Sequence, residues 1–266
     1  MNSLRGLLDG TWSATDAPVL SLTSEAVQFG AGVFTTIGVR AGRPTWLKHH
    51  AARLQRDSAR LGLVGDIPAG WEDRLVQVVD GNLMREGALK WMRFLDGGRT
   101  REWIFPRQVF ENGFSAAPVS LISQVCEVRE HRTFIEAKTL NYIHHWLATR
   151  AAREAGHNDV LWRDVAGRVL ECGTGTFFAV AAGRLCTPPL AEGVLQGVAR
   201  TRIAELGLGM EERTLPYAER SQWTECFFAN AVMGVVPIRL LDGTPFIAPG
   251  PVTARVAASV EQDFLT

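Results

Sequence analysis

The sequence predicts an α+β fold in two domains, on the basis of three observations. Up to about residue 105, runs rich in β-branched and aromatic residues alternate with runs that have helical spacing. Residues 111–118 then contain Asn, Gly, Ser and Pro, the composition of a linker. Beyond them, short strand-like runs again alternate with helical ones. We therefore expect one domain over residues 1–112 and a second over residues 119–266.

Each predicted element follows from hydrophobic spacing and from the turn residues at its ends. In the first domain we expect strands at 27–40, 45–47, 88–95 and 100–105 and helices at 48–63 and 71–86. In the second domain we expect strands at 119–125, 160–162, 176–182, 184–187, 226–229 and 235–241, and helices at 140–155, 197–207 and from about 252.

Composition excludes several classes of protein. The 28 basic and 28 acidic side chains cancel, so no overall field attracts nucleic acid or an anionic membrane. We find no signal peptide and no apolar stretch of membrane-spanning length, and we expect a cytoplasmic protein. The four cysteines have no paired spacing, which is typical of free thiols. Neither His49-His50 nor His144-His145 forms a zinc motif, because adjacent helical positions diverge.

Lys138 and Glu171 are the most informative residues for chemistry. An aldehyde cofactor needs an amine to hold it, and a lysine can also move protons once a substrate amine has displaced it. A carboxylate at the ring nitrogen of such a cofactor keeps that nitrogen protonated and makes the ring an electron sink. Lys138 and Glu171 are candidates for these two roles. Each taken alone is weak evidence, since most lysines and glutamates are solvated.

Seven segments, in order along the chain, are similar to motifs of one known family. They are Gln28–Thr36, His50–Leu54, Lys138–Tyr142, Asp164–Phe178, Thr187–Leu190, Gly197–Arg200 and Asn230–Pro237. On these segments the sequence resembles the fold-type IV pyridoxal-phosphate enzymes, the group of branched-chain and D-amino-acid aminotransferases and 4-amino-4-deoxychorismate lyase. The resemblance implies a small N-terminal α/β domain and a larger C-terminal pseudo-barrel domain, with pyridoxal 5'-phosphate between them. It also implies an amino-acid-like substrate and a homodimer.

The resemblance assigns roles to individual residues. Lys138 would hold the cofactor, Glu171 would bind its ring nitrogen, and Arg53 would bind its phosphate through a guanidinium fork. Main-chain groups at a helix start and at a strand end would complete the phosphate site. These groups belong to Gly197, Val198, Ala199, Asn230 and Ala231. Without the resemblance, Arg53 reads as a solvated helix arginine like Arg56 and Arg60.

Two segments favour the lyase within this family. Aminotransferases commonly carry a glutamate at the position of Thr35, whereas Phe34-Thr35-Thr36 and residues 230–237 resemble the lyase. That enzyme eliminates pyruvate to give 4-aminobenzoate, a step of folate biosynthesis, and Thr35 would protonate the departing oxygen. Cationic side chains would bind the substrate carboxylates. The candidates are Lys90, Arg93 and Arg99, with Arg40 as a further one.

Two alternatives remain open on the sequence alone. The first is a class IV aminotransferase acting on branched-chain or D-amino acids, which shares the early steps of the reaction with the lyase. The second is a non-catalytic protein that binds pyridoxal phosphate, because a sequence shows a lysine but not its activity.

Overall fold

The structure, a computed structural model, describes residues 4–107, 117–126 and 136–265. Within these residues the chain divides into two compact units. The first unit contains residues 4–107 and 137–141, and the second contains residues 117–126, 136 and 142–265. The predicted linker at 111–118 falls largely outside the described residues, so the domain boundary stays a prediction. Residues 137–141, which the sequence placed in the second domain, cluster with the first unit.

The first unit is a sheet with helices packed on it. Its described strands are β1 (Arg5–Leu8), β2 (Thr11–Ala14), β3 (Gly32–Arg40), β4 (Arg43–Pro44), β5 (Gly87–Asp96) and β6 (Arg99–Arg107). They form one antiparallel sheet in the order β2-β1-β6-β5-β3-β4. The helices are α1 (Glu25–Phe29), α2 (Leu47–Arg60) and α3 (Trp71–Gly81). Leu54 of α2, Leu75 of α3 and Trp91 of β5 are buried together in the core of this unit.

The second unit is built on a larger, mixed sheet. Its described strands are β7 (Val119–Cys126), β8 (Asp159–Asp164), β9 (Val169–Cys172), β10 (Thr176–Ala181), β11 (Arg184–Thr187), β12 (Met210–Glu212), β13 (Trp223–Asn230), β14 (Gly234–Leu241) and β15 (Thr244–Pro245). Their order is β12-β11-β10-β13-β14-β7-β8-β9, and β15 pairs with β14. The helices are α4 (Ile143–Glu154), α5 (Val198–Glu205) and α6 (Pro251–Phe264). Phe177, Phe228 and Trp223 are buried together in its main core.

The α+β class predicted from the sequence is confirmed, but several element boundaries differ. Residues 27–29 are helical rather than extended, because Ser24 caps α1 at its start and Gly30, at φ 63°, ends it. The strand expected at 45–47 lies instead at Arg43–Pro44 (β4), and Leu47 opens α2. Helix α3 ends at Gly81 and not at residue 86, because Leu83 adopts φ 51°, which a right-handed helix does not allow.

Helix α4 begins at Ile143 and not at residue 140. The reason is that residues 138–140 are extended and pair with β3: the N–H of Leu140 donates to the carbonyl of Gly32 at 2.9 Å, and Thr139 bridges Val33. Five strands were not expected, and all five are four residues long or shorter. They are β1, β2, β9, β12 and β15. In the described part of the chain, no helix combines the length and the apolar character that a membrane span requires.

Candidate active site

The main chain of Lys138 is fixed by two elements of the first unit. Its N–H donates to Oδ2 of Asp57 on α2 at 3.0 Å, and its carbonyl accepts from the N–H of Phe34 on β3 at 2.9 Å. The Asp57 carboxylate is 1% exposed, so it is a buried anchor for this segment. Because both backbone groups are bonded, the position from which the Lys138 side chain departs is set by the sheet and by α2.

The amine of Lys138 contacts the same aromatic ring as a second amine. Nζ of Lys138 is 4.7 Å from the centroid of the Phe34 ring, and Nζ of Lys90 is 4.1 Å from the same centroid. Burial, and then the charge of Arg107, lower the pKa of Lys90 to about 8. The sequence contains three lysines, of which Lys48 is exposed on α2. Two of the three lysines in the chain are therefore in contact with one aromatic ring.

Thr35 lies on the other face of the same strand. Thr36 is paired with Lys90 across β3 and β5, so Phe34 and Lys90 share one face of the sheet, whereas Thr35 points to the opposite face. Thr35 is 0% exposed there. Its hydroxyl is 2.5 Å from Nδ1 of His50 and accepts a hydrogen bond from Arg53, both on α2. The predicted proton donor is thus bonded to helix side chains, on the face away from the Lys138 amine.

Arg53 is buried, at 7% exposure, whereas Arg60 at the end of the same helix is exposed. Arg53 is therefore not the solvated helix arginine that its neighbours would suggest. It belongs to a buried polar cluster with Thr35 and His50. A guanidinium held in this way has a fixed orientation, which suits the recognition of an anion.

We predict that His50 makes folding sensitive to acid. Burial, followed by the charges of Arg53 and His49, holds the pKa of His50 well below its ordinary value of 6.5. Below about pH 6.5 His50 is protonated in the unfolded chain but stays neutral in the folded protein. The free energy of unfolding therefore falls with decreasing pH, by at most about 1.4 kcal/mol per pH unit from this group. Urea unfolding at several pH values should show that His50→Gln loses this part of the slope. Parallel curves for the parent and the variant would contradict the prediction.

Two of the other three candidates for substrate carboxylates, Arg93 and Arg99, occupy different surroundings. Arg93 is 3% exposed, and its Nη2 donates to the carbonyls of Gly65 at 2.7 Å and of Val64 and Asp66 at 3.3 Å. These bonds tie the loop after α2 to the sheet and account for the burial of Arg93. Arg99 is exposed at the hairpin between β5 and β6. The structure therefore places the Lys90 and Lys138 amines on one aromatic ring, whereas Arg93 is bonded to loop carbonyls and Arg99 lies at an exposed hairpin.

Glu171 belongs to the second unit, on the short strand β9. It is half-buried, and its Oε2 accepts from the N–H of Leu195 at 3.4 Å. The loop that follows is closed on itself, because the N–H of Cys172 donates to the carbonyl of Gly175 at 2.8 Å. The N–H of Gly173 donates to the carbonyl of Val160 on β8 at 2.9 Å.

The predicted main-chain groups of the phosphate site occupy the same unit as Glu171. Gly197 is the N-cap of α5, and no side chain caps the first turn that Val198 and Ala199 begin. Asn230 ends β13, where its Oδ1 accepts from the N–H groups of Val232 at 3.0 Å and Met233 at 2.7 Å. Its Nδ2 donates to the carbonyl of Thr174 at 3.1 Å. The Asn230 turn is therefore tied to the loop after Glu171.

The available groups fit pyridoxal 5'-phosphate by their chemistry. The cofactor needs an amine for its aldehyde, an anion for its ring nitrogen, and cationic or N–H donors for its phosphate. Lys138, Glu171 and Arg53 supply the first three kinds of group. The uncapped first turn of α5 supplies N–H donors at the positive end of a helix.

Sequence reasoning gave no role to four residues that the structure shows to be built into these regions. They are Phe34, His50, Asp57 and Asp159. Phe34 and His50 lie inside the matched motifs, which was the available signal. Asp159 had a weaker signal, an acidic residue at the start of a strongly apolar strand. Asp57 had no signal of its own in the sequence, and its burial follows only from the fold.

Comparison with known proteins identifies the family. The sequence model of the family described as amino-transferase class IV matches residues 32–241. A "Putative branched-chain-amino-acid aminotransferase" of Methanocaldococcus jannaschii is 29% identical over 250 residues, which cover 86% of this chain and 84% of that protein. A "Probable branched-chain-amino-acid aminotransferase" of Thermotoga maritima is 34% identical over 112 residues, 39% of this chain and 40% of that protein.

Solved structures show the same fold. The pyridoxal-phosphate-bound form of a hypothetical aminotransferase from Mycobacterium tuberculosis has a TM-score of 0.89 at 22% identity, covering 98% of this chain and 99% of the other. A "Putative 4-amino-4-deoxychorismate lyase" from Legionella pneumophila has a TM-score of 0.85 at 21% identity, covering 94% of this chain and 97% of the other. At these identities the likeness concerns the fold and not the reaction.

The chain belongs to the class IV aminotransferase family and has the fold-type IV architecture. It is an enzyme of the pyridoxal-phosphate-dependent class, and its cofactor is pyridoxal 5'-phosphate. The resemblance stated from the sequence motifs is confirmed. The relatives with curated names support the aminotransferase alternative better than the lyase that the motifs favoured.

Proposed function

We propose that the protein is an aminotransferase that moves the amino group of a branched-chain amino acid to a 2-oxo acid. The observation that carries this proposal is the similarity to the Methanocaldococcus jannaschii relative along most of both chains. The geometry around Lys138 supports it, since an amine on a fixed main chain is what amino-group transfer requires.

The bound cofactor supplies an aldehyde for the substrate amine and a ring that accepts an electron pair from the carbon bearing that amine. In this proposal Nζ of Lys138 takes the proton from that carbon and would deliver it to the carbon of the cofactor's former aldehyde group, after which water would release the 2-oxo acid. Glu171 keeps the ring nitrogen protonated. Arg53 is assigned to the phosphate in the first unit. In the second unit, the N–H groups of the first turn of α5 and the turn at Asn230 and Ala231 are assigned to the phosphate as well.

Lys90 is our choice for the substrate carboxylate. Its ammonium shares the Phe34 ring with the Lys138 amine, so a group bound to Lys90 lies near the reacting amine. Arg93 is already bonded to three loop carbonyls, and we assign it to the structure of the first unit.

The pKa of Lys90 gives this choice a pH signature. With a pKa of about 8, Lys90 loses its charge as the pH rises through that value, and a carboxylate then loses its partner. We expect kcat/KM of the parent for an amino-acid substrate to fall above about pH 8. In Lys90→Arg, kcat/KM should stay constant over the same pH range because arginine remains charged.

The matched control is Lys48→Arg, at an exposed position of α2, which should reproduce the parent profile. A decline above pH 8 in Lys90→Arg equal to that of the parent would assign the titration to another group and remove Lys90 from the carboxylate site.

Thr35 has a different role in this proposal from the one its motif suggested. Its hydroxyl accepts from Arg53 and contacts His50, so we assign it to orienting the phosphate-binding arginine. We do not assign Thr35 to the protonation of a leaving oxygen, because its hydroxyl is already engaged by His50 and Arg53.

The lyase is the second candidate, and the motif Phe34-Thr35-Thr36 is the observation that favours it. To distinguish the two, the purified holoenzyme is incubated with L-leucine and 2-oxoglutarate, with D-alanine and 2-oxoglutarate, and with 4-amino-4-deoxychorismate. We expect glutamate from the first mixture and no pyruvate from the third. Pyruvate with 4-aminobenzoate, and no glutamate, would replace the aminotransferase proposal with the lyase.

We also propose a homodimer, which light scattering of the holoenzyme tests.

A further inference from the structure

Asp159, at the start of β8, is a buried carboxylate that has no assigned role in the proposed reaction. It is 3% exposed. Its Oδ1 accepts from the hydroxyl of Thr149 on α4 at 3.1 Å and from the N–H of Val160 at 2.8 Å. Its Oδ2 accepts from Thr174, from the N–H at 3.1 Å and from the hydroxyl at 2.7 Å.

These four bonds offset the cost of burying a charge. Burial raises the pKa of the Asp159 carboxyl, while the bonds from Thr174, Val160 and Thr149 act in the opposite direction. Two of the four bonds come from Thr174, which lies in the loop after Glu171. The carboxylate therefore holds that loop at both its main chain and its side chain.

The loop is shaped around the Asp159 carboxylate. At Gly173, a Cβ atom would lie 2.4 Å from Oδ1 of Asp159 and 2.6 Å from Oγ1 of Thr149. A side chain at position 173 would force the carboxylate and the loop apart. Gly173 therefore permits the close approach that lets Thr174 reach Oδ2.

Thr174 also connects Asp159 to the Asn230 turn. The carbonyl of Thr174 accepts from Nδ2 of Asn230, and Oδ1 of Asn230 fixes the N–H groups of Val232 and Met233. A continuous chain of hydrogen bonds thus runs from Asp159 through Thr174 to the turn after β13. Glu171 lies three residues before Thr174, at the start of the same closed loop.

We propose that Asp159 is a positioning residue for the cofactor: through Thr174 it sets the loop that directly follows Glu171 and couples that loop to the Asn230 turn. The proposal rests on the proposed roles of Glu171 and Asn230. A positioning role can be distinguished from a purely stabilising one because, of the two hydroxyl groups bonded to Asp159, only that of Thr174 belongs to the loop between Glu171 and the Asn230 turn. Loss of the Thr174 bond should therefore have another effect than loss of the Thr149 bond.

The test compares Thr174→Val with Thr149→Val, each of which removes one hydroxyl from the same carboxylate. For each protein the dissociation constant of pyridoxal 5'-phosphate is measured by titrating the cofactor-stripped enzyme, and the pH at which the bound cofactor changes its absorption is recorded. We expect Thr174→Val to weaken cofactor binding roughly tenfold and to shift that pH, because a hydrogen bond to a charged group is lost. Thr149→Val should bind the cofactor within about twofold of the parent.

Two further measurements separate positioning from folding. Thr174→Ser restores the hydroxyl and should return the dissociation constant to within about twofold of the parent. Hydrogen exchange of the Thr174 amide, measured without cofactor, should accelerate in Asp159→Asn and not in Thr149→Val.

The positioning role alone would be overturned if the parent binds the cofactor and Thr174→Val and Thr149→Val weaken that binding equally. It would also be overturned if Thr174→Val does not weaken cofactor binding at all. A parent that binds no pyridoxal 5'-phosphate would overturn the assigned roles of Glu171 and Asn230 as well.

Discussion

Replacing Lys138 with alanine should abolish turnover and the covalent attachment of the cofactor. The amine at this position is the proposed base, and loss of such a base costs roughly a factor of 10² to 10⁴ before the loss of attachment is added. Reduction of the parent holoenzyme with borohydride, followed by peptide mapping, should place the cofactor mass on Lys138. In Lys138→Ala the reduced protein should carry none.

The exposed Lys48 provides the matched control, because Lys48→Ala removes an amine of the same unit from outside the site. It should keep the attached cofactor and the parent rate. Recovery of the cofactor mass on another lysine of Lys138→Ala, with normal turnover, would show that Lys138 is not the attachment site.

Replacing Glu171 with glutamine should leave cofactor binding within a few-fold of the parent while slowing the reaction by roughly 10²- to 10³-fold. The variant keeps the shape of the side chain but removes the negative charge that the protonated ring nitrogen requires, and a group preorganised toward developing charge contributes on this scale. Single-turnover kinetics with L-leucine measure the chemical step directly, and titration of the stripped enzyme measures the affinity for the cofactor.

Glu211→Gln is the control for charge alone. Glu211 is a partly exposed residue of the second unit, paired with Arg184 at 2.7 Å, and its replacement should alter neither quantity. If Glu171→Gln reacted as fast as the parent, Glu171 would be a loop residue and another acid would have to serve the ring nitrogen.

The sequence predicted the long elements of this fold and missed the short ones for a physical reason. Helix α2 and strand β5 run long enough for their apolar spacing to be read, and both lie close to where we expected them. Strand β9 has four residues, too few to show a period, although it carries Glu171. The start of α4 was misplaced because pairing of residues 138–140 with β3 is a tertiary contact that local spacing does not contain.

The residues of the candidate site were likewise predicted only in part. Lys138, Arg53 and Glu171 could be named because each lies in a motif whose residue type has a direct chemical use. Their supports could not be named, because the partners are distant in sequence: Asp57 binds the N–H of Lys138 across 81 positions. The placement of Thr35 depends on which face of β3 points toward α2, and the residue type does not reveal that.

The scarcity of lysine gives the protein an unusual chemical profile toward reagents that modify amines. Of the three ε-amino groups, one is exposed on α2 and two contact the Phe34 ring, so acylating agents and stray aldehydes meet few competing targets on the surface. At about pH 8 half of Lys90 is unprotonated and nucleophilic, whereas an ordinary lysine is almost fully charged. Amine-directed labels applied in mildly alkaline buffer will therefore partition toward Lys90 where they can reach it, and inactivation by such reagents will be sensitive to small changes of pH.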